Sequence, residues 1–526
     1  MRTESALREA LHGRSQRRVP WTLVVGALLT VVVVGFELRL LPAPVPSDQI
    51  QYFQVARDFP VPADGYFAHQ ITRYGLLLPL RTLIEVFGYG QVAYYTFSVL
   101  AGLSLALSVY ALGTLLFARG VGLAAALLSV GNNVILAELL QPLPDVFGTS
   151  LLCWALALAV AIRQRRPAVW GTGRRLALAL IGLGVLLAWG YSVREYLVFV
   201  WPLVGIILFR RVGWRGLLLV AAPIGLYVII ELVVSGLAYG DPLLRVKAIL
   251  GHGNVPLREE ARATYQDKPR MWYLDRLLVG LGAPPEGVWL QAALAATVAG
   301  GIVAWRRLGV LLMWVAFMYV PLVLLGGLVD PDAPKLRLFM MRYWFPLLPA
   351  LLLGGVACVW LGARFLLART RRLPGKWTGL VSALAVLAVA AVPLAMAAPR
   401  WDRPVGYRFI GFSHISGFRD WLEDHRSDVG TLWGDDRTLR VLQIFVNDPF
   451  GQPVWNGELA ELEPNGPRPQ TGDYVLIYGA QDSSRSPCTH CRLYIQAIYG
   501  KPVRVPPDWK RVYGTPDRQV LVYRVG

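Results

Sequence analysis

A polytopic α-helical membrane protein with a C-terminal extracytoplasmic α/β domain is the fold class this sequence predicts, and three observations predict it. The chain has 526 residues, 55% of them hydrophobic and only 16% charged, with a mean hydropathy of +0.46, which is too apolar for an ordinary soluble protein. Its arginines recur in short loops between apolar runs, as the positive-inside rule requires of a membrane topology. From Pro399 to Gly526 the composition turns soluble and stays so. The net charge of +18 is accounted for by those loops rather than by one basic patch, so no nucleic-acid partner is expected.

The first twenty residues carry Arg2, Arg8, Arg14, Arg17 and Arg18 and precede an apolar run from Val19 to Leu41. That run is long for a signal peptide, and LPAPVPSD is a poor cleavage site, so 1–20 reads as a cytoplasmic segment before an uncleaved first helix. Runs long enough to cross about 30 Å of hydrocarbon fall at 21–41, 91–117, 120–140, 145–162, 175–191, 195–209, 215–237, 287–305, 308–328, 343–368 and 377–398, about eleven transmembrane helices. The pair 175–191 and 195–209 is short and reads either as two crossings or as one broken hairpin. The transmembrane domain is therefore 21–398, followed by 399–526.

Charge sets the orientation. Arg119, the cluster Arg163 to Arg175, Arg210 to Arg215, Arg306 with Arg307, and Arg369 to Lys376 fall in alternate loops, which are assigned to the cytoplasm. The opposite segments 42–90, 139–145, 238–286 and 329–342, with the turn Ser192 to Glu195, hold nearly all the acids. This predicts a multi-pass cell-membrane protein with its N-terminus cytoplasmic and its C-terminal domain outside. Within 238–286, the polar run Leu257 to Arg262 precedes MWYLDRLLVGLG from Met271, whose apolar residues recur at roughly helical spacing, as in an interfacial helix.

In the C-terminal domain FRDWLEDH reads as a helix, GTLWGDD as a strand followed by a helix over Arg437 to Phe445, and PVWNG, DYVLIYG and RQVLVYRV as strands. Asp435 and Asp436, between a strand and a helix, read as caps. Cys153 and Cys358 lie inside apolar spans as packing residues, whereas Cys488 and Cys491, with only His490 beside them, suit a local disulfide better than a zinc site.

The polar loop after the first span concentrates the chemistry. Ser47 is a candidate N-cap, Asp48 falls in the first turn of a short helix, and Tyr52 lies one turn further on the same face. Asp48 is a candidate base, or a first-turn acid with no chemistry. Asp145, following Pro144, either caps a helix or orients a substrate, and with Asp48 it could share magnesium, manganese or calcium, although nothing in the spacing requires a metal. Lys335, Arg337 and Arg342 precede a helix, and Arg194 sits in the Ser192 to Glu195 turn. Each is a candidate phosphate ligand, with snorkelling, or for Arg194 a local pair with Glu195, as the alternative. His69 and Arg73, one turn apart, complete the set.

The segments DQIQYFQVARDF, HQITRYGLLLPL, LPDVFGTSLLCWALALAV, WGYSVREYLVFVWPLVG, AYGDPLLR and RYWFPLLPALLLGGV, in this order, resemble the GT-C superfamily of polyprenyl-phosphate-sugar-dependent glycosyltransferases, in particular the relatives of protein mannosyltransferases and of the lipid A aminoarabinose transferase. The resemblance implies that Asp48 is the essential acid of the first external loop, that Asp145 is a second acid, and that Arg342-Tyr343 with Pro346 and Pro349 match the family's Arg-Tyr before a Pro-rich helix. Asp48-Gln49 stands where many members have Asp-Glu, and His69-Gln70-Ile71 where they have His-Pro-Pro; both departures count against protein mannosylation. The expectation is an inverting transferase that takes a sugar from a polyprenyl-phosphate donor among membrane lipids and passes it to a cell-envelope acceptor. A transporter or flippase of a lipid-linked saccharide would instead need ionisable residues near mid-bilayer, where Glu231 is one of few acids. A non-catalytic scaffold is the third reading.

Overall fold

The computed structural model describes residues 21–40, 48–60, 67–166, 173–251, 267–282, 286–338, 340–370, 375–401, 412–436, 438–439, 442, 450, 454–463, 465–479, 489–516 and 518–526. The expected features at 1–20, Ser47, Leu257 to Arg262, Cys488 and most of Arg437 to Phe445 lie outside them.

Long apolar helices dominate. After α1 (Trp21–Leu40) come three short helices, α2 (Asp48–Asp58), α3 (Ala68–Ile71) and α4 (Tyr74–Phe87), and then α5 (Gln91–Leu116), α6 (Arg119–Gly131), α7 (Asn133–Leu139), α8 (Pro144–Arg163) and α9 (Gly173–Val193). A 3-10 turn, Glu195–Val200, leads into α10 (Trp201–Tyr239), followed by α11 (Leu244–Gly251), α12 (Arg270–Gly282), α13 (Gly287–Val303), α14 (Trp305–Val323), α15 (Leu348–Thr370) and α16 (Gly375–Ala397). Eight helical runs among the described residues are long and apolar enough to cross a membrane, and α6 and α13 are shorter apolar helices. Side chains such as Leu237, 85% exposed, and Val303, 88% exposed, are ordinary on a surface solvated by lipid. The protein is a multi-pass membrane protein.

One expected span differs, and one expected boundary is tighter than a loop, each for a local reason. The run 120–140 is cut at Asn132, whose side-chain oxygen accepts hydrogen bonds from the Val134 and Ile135 amides at 2.9 and 3.3 Å, ending α6 and capping α7. The spans 195–209 and 215–237 meet, as expected, between Arg211 and Arg215, where helical residues on both sides are separated by a break at Gly213 with φ 62° and ψ −170°, a conformation closed to most side chains. Helices pack through small residues: a Cβ on Gly113 of α5 would lie 2.7 Å from the Gly122 Cα of α6, so both glycines permit that approach. In α12, Tyr273, Leu277 and Leu281 are buried at helical spacing while Met271 and Leu278 are exposed, matching the amphipathic reading.

The C-terminal part is a five-stranded sheet in the order β2-β1-β3-β5-β4, built from β1 (Thr431–Gly434), β2 (Glu458–Glu461), β3 (Tyr474–Tyr478), β4 (Lys510–Gly514) and β5 (Val520–Arg524), with α17 (Phe412–Asp424) and α18 (Thr489–Tyr499). β1 is parallel to β2 and β3, whereas β5 is antiparallel to β3 and β4. The strand expected at PVWNG begins later, at Glu458, and β4 and α18 were not anticipated. Asp435 caps, accepting from the Thr438 amide at 3.0 Å. Cys491 is disulfide-bonded, and Cys153 and Cys358 are free. Phe450 packs among Phe53 of α2, Tyr89 and Tyr94, with ring centroids 5.7, 6.0 and 5.5 Å away, which ties the sheet domain to the helix that carries Asp48.

Candidate active site

Asp48 opens α2, and Ile50, Tyr52, Phe53, Val55 and Ala56 of that helix are buried, so packing fixes the direction of its first turn. One carboxylate oxygen of Asp48 accepts from Arg342 Nη1 at 2.8 Å, and the other from Gln70 Nε2 at 3.0 Å, with His69 Nε2 at 3.9 Å. Asp48 and Arg342 stand 294 residues apart. Burial pushes the Asp48 carboxyl up, but Arg342, then His69 and Arg73, pull it well below the usual carboxylate range, so it is ionised at neutral pH. His69 stacks on Phe67 with ring centroids 5.6 Å apart. Its burial lowers its pKa from 6.5 against the opposing contact with Asp48, leaving a mainly neutral imidazole.

A second pair stands beside the first. Arg194 Nε donates to Asp145 Oδ1 at 2.9 Å, and the Tyr196 hydroxyl donates to the same oxygen at 2.9 Å with the Arg342 carbonyl 3.4 Å away. The guanidinium of Arg194 also lies over the rings of Tyr196 and Tyr343, at 4.9 and 5.5 Å. Tyr196 and the residue Arg342 thus join the two acid–arginine pairs into one network. Asp145 Oδ2, Arg194 Nη2 and Arg342 Nε are buried without a hydrogen-bond partner among the described residues, leaving capacity for a ligand.

A third set forms the wall. Arg73, which is buried, donates to the Tyr52 hydroxyl and, through Nη2, to Glu195 Oε1 at 3.1 Å. The local Arg194–Glu195 pair considered from sequence is therefore not formed: Arg194 turns to Asp145 and Glu195 to Arg73. Arg245 of α11 donates to the carbonyls of Thr72, Ser192 and Tyr191 at 2.8, 3.2 and 2.5 Å. It also lies 3.5 Å from Glu231. Next to this wall is a cavity of about 440 Å³, lined by His69, Glu195, Tyr196, Arg245 and Lys335 over apolar Phe199 and Leu250. Arg337, two residues on from Lys335, does not line it.

Glu138 of α7, Tyr196, Glu231 and Arg245 were not singled out as site residues from sequence. Glu138 feels the charges of Asp145, Arg342, Arg194 and Asp48; burial first, then Asp145, raise its pKa to about 7. Only its position just before the Asp145 segment hinted at a role. Among the described residues no group of three or more His, Cys, Asp or Glu is placed to hold a metal.

No protein-family model matches the sequence, and no curated protein matches it in sequence. Among solved structures, ArnT from Cupriavidus metallidurans bound to undecaprenyl phosphate is similar over 96% of this chain and 98% of that chain, with a TM-score of 0.54 and 11% identity. Its apo state gives 0.55 over 96% and 97%, again at 11% identity. The Archaeoglobus fulgidus oligosaccharyltransferase AglB, in complex with an inhibitory peptide and a dolichol-phosphate, is similar over 84% of this chain and 65% of that chain, with a TM-score of 0.45 and 12% identity.

Proposed function

Because this chain has the GT-C fold seen in ArnT, we propose that it is an inverting glycosyltransferase moving a sugar from a polyprenyl-phosphate carrier to a cell-envelope acceptor on the outer face of the cytoplasmic membrane. The observation that carries this reading is the meeting of Asp48 with Arg342 and of Asp145 with Arg194 in one buried network beside a cavity edged by Lys335 and Arg245. A carboxylate next to guanidiniums at one end of a membrane bundle suits a lipid phosphate and an acceptor hydroxyl together.

The transfer is a single displacement at the anomeric carbon. The acceptor oxygen forms the new bond as its proton passes to Asp48, and the bond to the phosphate oxygen breaks with its electron pair leaving on the lipid phosphate. One displacement inverts the anomeric centre. Arg342, whose Nε has no partner among the described residues, and Lys335 would take the growing phosphate charge. In the unliganded pair Asp48 is a weak base because Arg342 holds it ionised. A phosphate that draws Arg342 away would strengthen that base when the donor is in place. Arg194 and Tyr196 would hold Asp145 for the acceptor, His69 would line the approach, and Tyr52, fully buried, would hold Arg73 in the wall behind it. A divalent cation shared by Asp48 and Asp145 would bind through Asp145 Oδ2, which has no hydrogen-bond partner among the described residues, and chelation during an assay tests it.

The test is transfer from a panel of polyprenyl-phosphate sugars by protein reconstituted in vesicles. Asp48→Asn should lower the rate by about 10²–10⁴-fold, the usual contribution of a general base, while undecaprenyl phosphate still binds. Correctly inserted Asp48→Asn protein working near the wild-type rate would refute the assignment.

A further inference from the structure

Two cavities meet at one thin wall. Thr72 and Tyr191 face the charged cavity of about 440 Å³, whereas their neighbours Tyr74 and Ser192 face a second cavity of about 760 Å³. Arg245 closes the wall by donating to the Thr72, Tyr191 and Ser192 carbonyls. The second cavity is lined by α4, α5, α8, α9 and α10, through side chains such as Leu78, Phe97, Phe147, Val185 and Leu226, and no charged residue lines it among those described. Its rim opens sideways, since Leu78, Val185 and Leu226 are exposed.

Most polar groups of this cavity gather at its wall end; Thr82, further along α4, spends its hydroxyl on the Leu78 carbonyl at 2.9 Å. The Tyr74 hydroxyl lies 2.8 Å from Ser235 Oγ, Ser192 sits beside it, and Trp189 donates to the Gly75 carbonyl at 2.9 Å. A flat helix surface satisfies bulk lipid, but a recess between spans forfeits dispersion contacts unless a chain fills it. Hydroxyls and an indole at one end, hydrocarbon along the rest, and an opening toward the bilayer fit an amphiphile whose head reaches the site. The absence of charge in the described lining argues against a phosphate head, which the neighbouring cavity with His69, Arg245 and Lys335 suits better.

We propose that the second cavity binds the hydrocarbon of a lipid-borne acceptor, with an uncharged, hydroxyl-bearing head at Tyr74, Trp189 and Ser192, so that donor and acceptor lipids approach from opposite sides of the Arg245 wall. This rests on the transferase reading and narrows its acceptor to a glycolipid-like amphiphile. The test is lipid retention by the purified full chain, measured by native mass spectrometry with three probes: monoglucosyl dioleoylglycerol, dioleoylphosphatidylglycerol and undecaprenyl phosphate. The wild type retains the glucolipid in preference to the anionic lipid with the same chains. Leu226→Trp and Val185→Trp, both at the exposed rim, each weaken glucolipid retention by about tenfold and leave undecaprenyl phosphate retention unchanged, which also reports that the variants are folded. Equal retention of the two dioleoyl lipids, or glucolipid retention indifferent to both variants, overturns the proposal while the transferase reading stands. Failure of the wild type to retain undecaprenyl phosphate overturns the transferase reading and the acceptor role with it.

Discussion

At the scale of single residues, the balance around Asp48 is between burial, which favours the neutral acid, and the charge of Arg342, the contact with His69 and the charge of Arg73, which favour the carboxylate and prevail. Its depressed pKa contributes stability above the ordinary value of 3.8 that is lost as pH falls below it. Glu138 behaves oppositely. Its pKa, raised from 4.5 to about 7, means that the folded protein loses stability as pH rises across that window, because the unfolded chain releases the proton first. Thermal melting in detergent as a function of pH should therefore slope downward over this range in the wild type, and the slope should flatten in Glu138→Gln. Arg342→Ala should raise the pKa of Asp48 and shift the acidic limb of the pH–rate profile upward, an effect a purely structural arginine would not produce. Asp48, Asp145, Arg194 and Arg342 were legible because a polar residue at the edge of an apolar span stands out in sequence. Tyr196 and Glu138 were not, because an ordinary tyrosine and an acid beside a helix end acquire meaning only through contacts such as Tyr196 with Asp145, 51 residues away.

Among elements, α11 shows how one side chain seats a helix. Arg245 is 3% exposed and meets three carbonyls and the Glu231 carboxylate. Arg245→Ala would strand Glu231 and cost about 3–5 kcal/mol, as is usual for a broken buried pair. Hydrogen exchange should then quicken over Leu244–Gly251 and the Ser192 to Glu195 turn, with α5 and α8 unaffected; unchanged exchange over α11 would contradict this role. Glu231, read from sequence as one of few acids inside a span, proves to be the partner of Arg245 on α11, a pairing that hydropathy does not encode. The break at Asn132 was likewise hidden, because the apolar pattern runs on through it and only its cap geometry interrupts it, whereas the break at Gly213 falls inside the Arg210 to Arg215 turn that the charge pattern marked.

Across the whole molecule, the alternation of apolar runs with arginine loops foretold a membrane bundle followed by an α/β domain, since those features are set by composition over many residues. The docking of that domain was not foretold. Phe450 reaches Phe53, Tyr89 and Tyr94, and aromatic pairs of this kind add about 0.5–1.5 kcal/mol each. Phe450→Ala should speed proteolytic release of the C-terminal domain and lower transfer through a less firmly held α2. The most direct test of the central claim is a structure of the protein with a polyprenyl-phosphate donor bound. The account predicts the phosphate within hydrogen-bonding distance of Arg342, with the Asp48–Arg342 pair opened and the Asp48 carboxylate turned to the sugar. A phosphate seated elsewhere, with that pair intact, would contradict it.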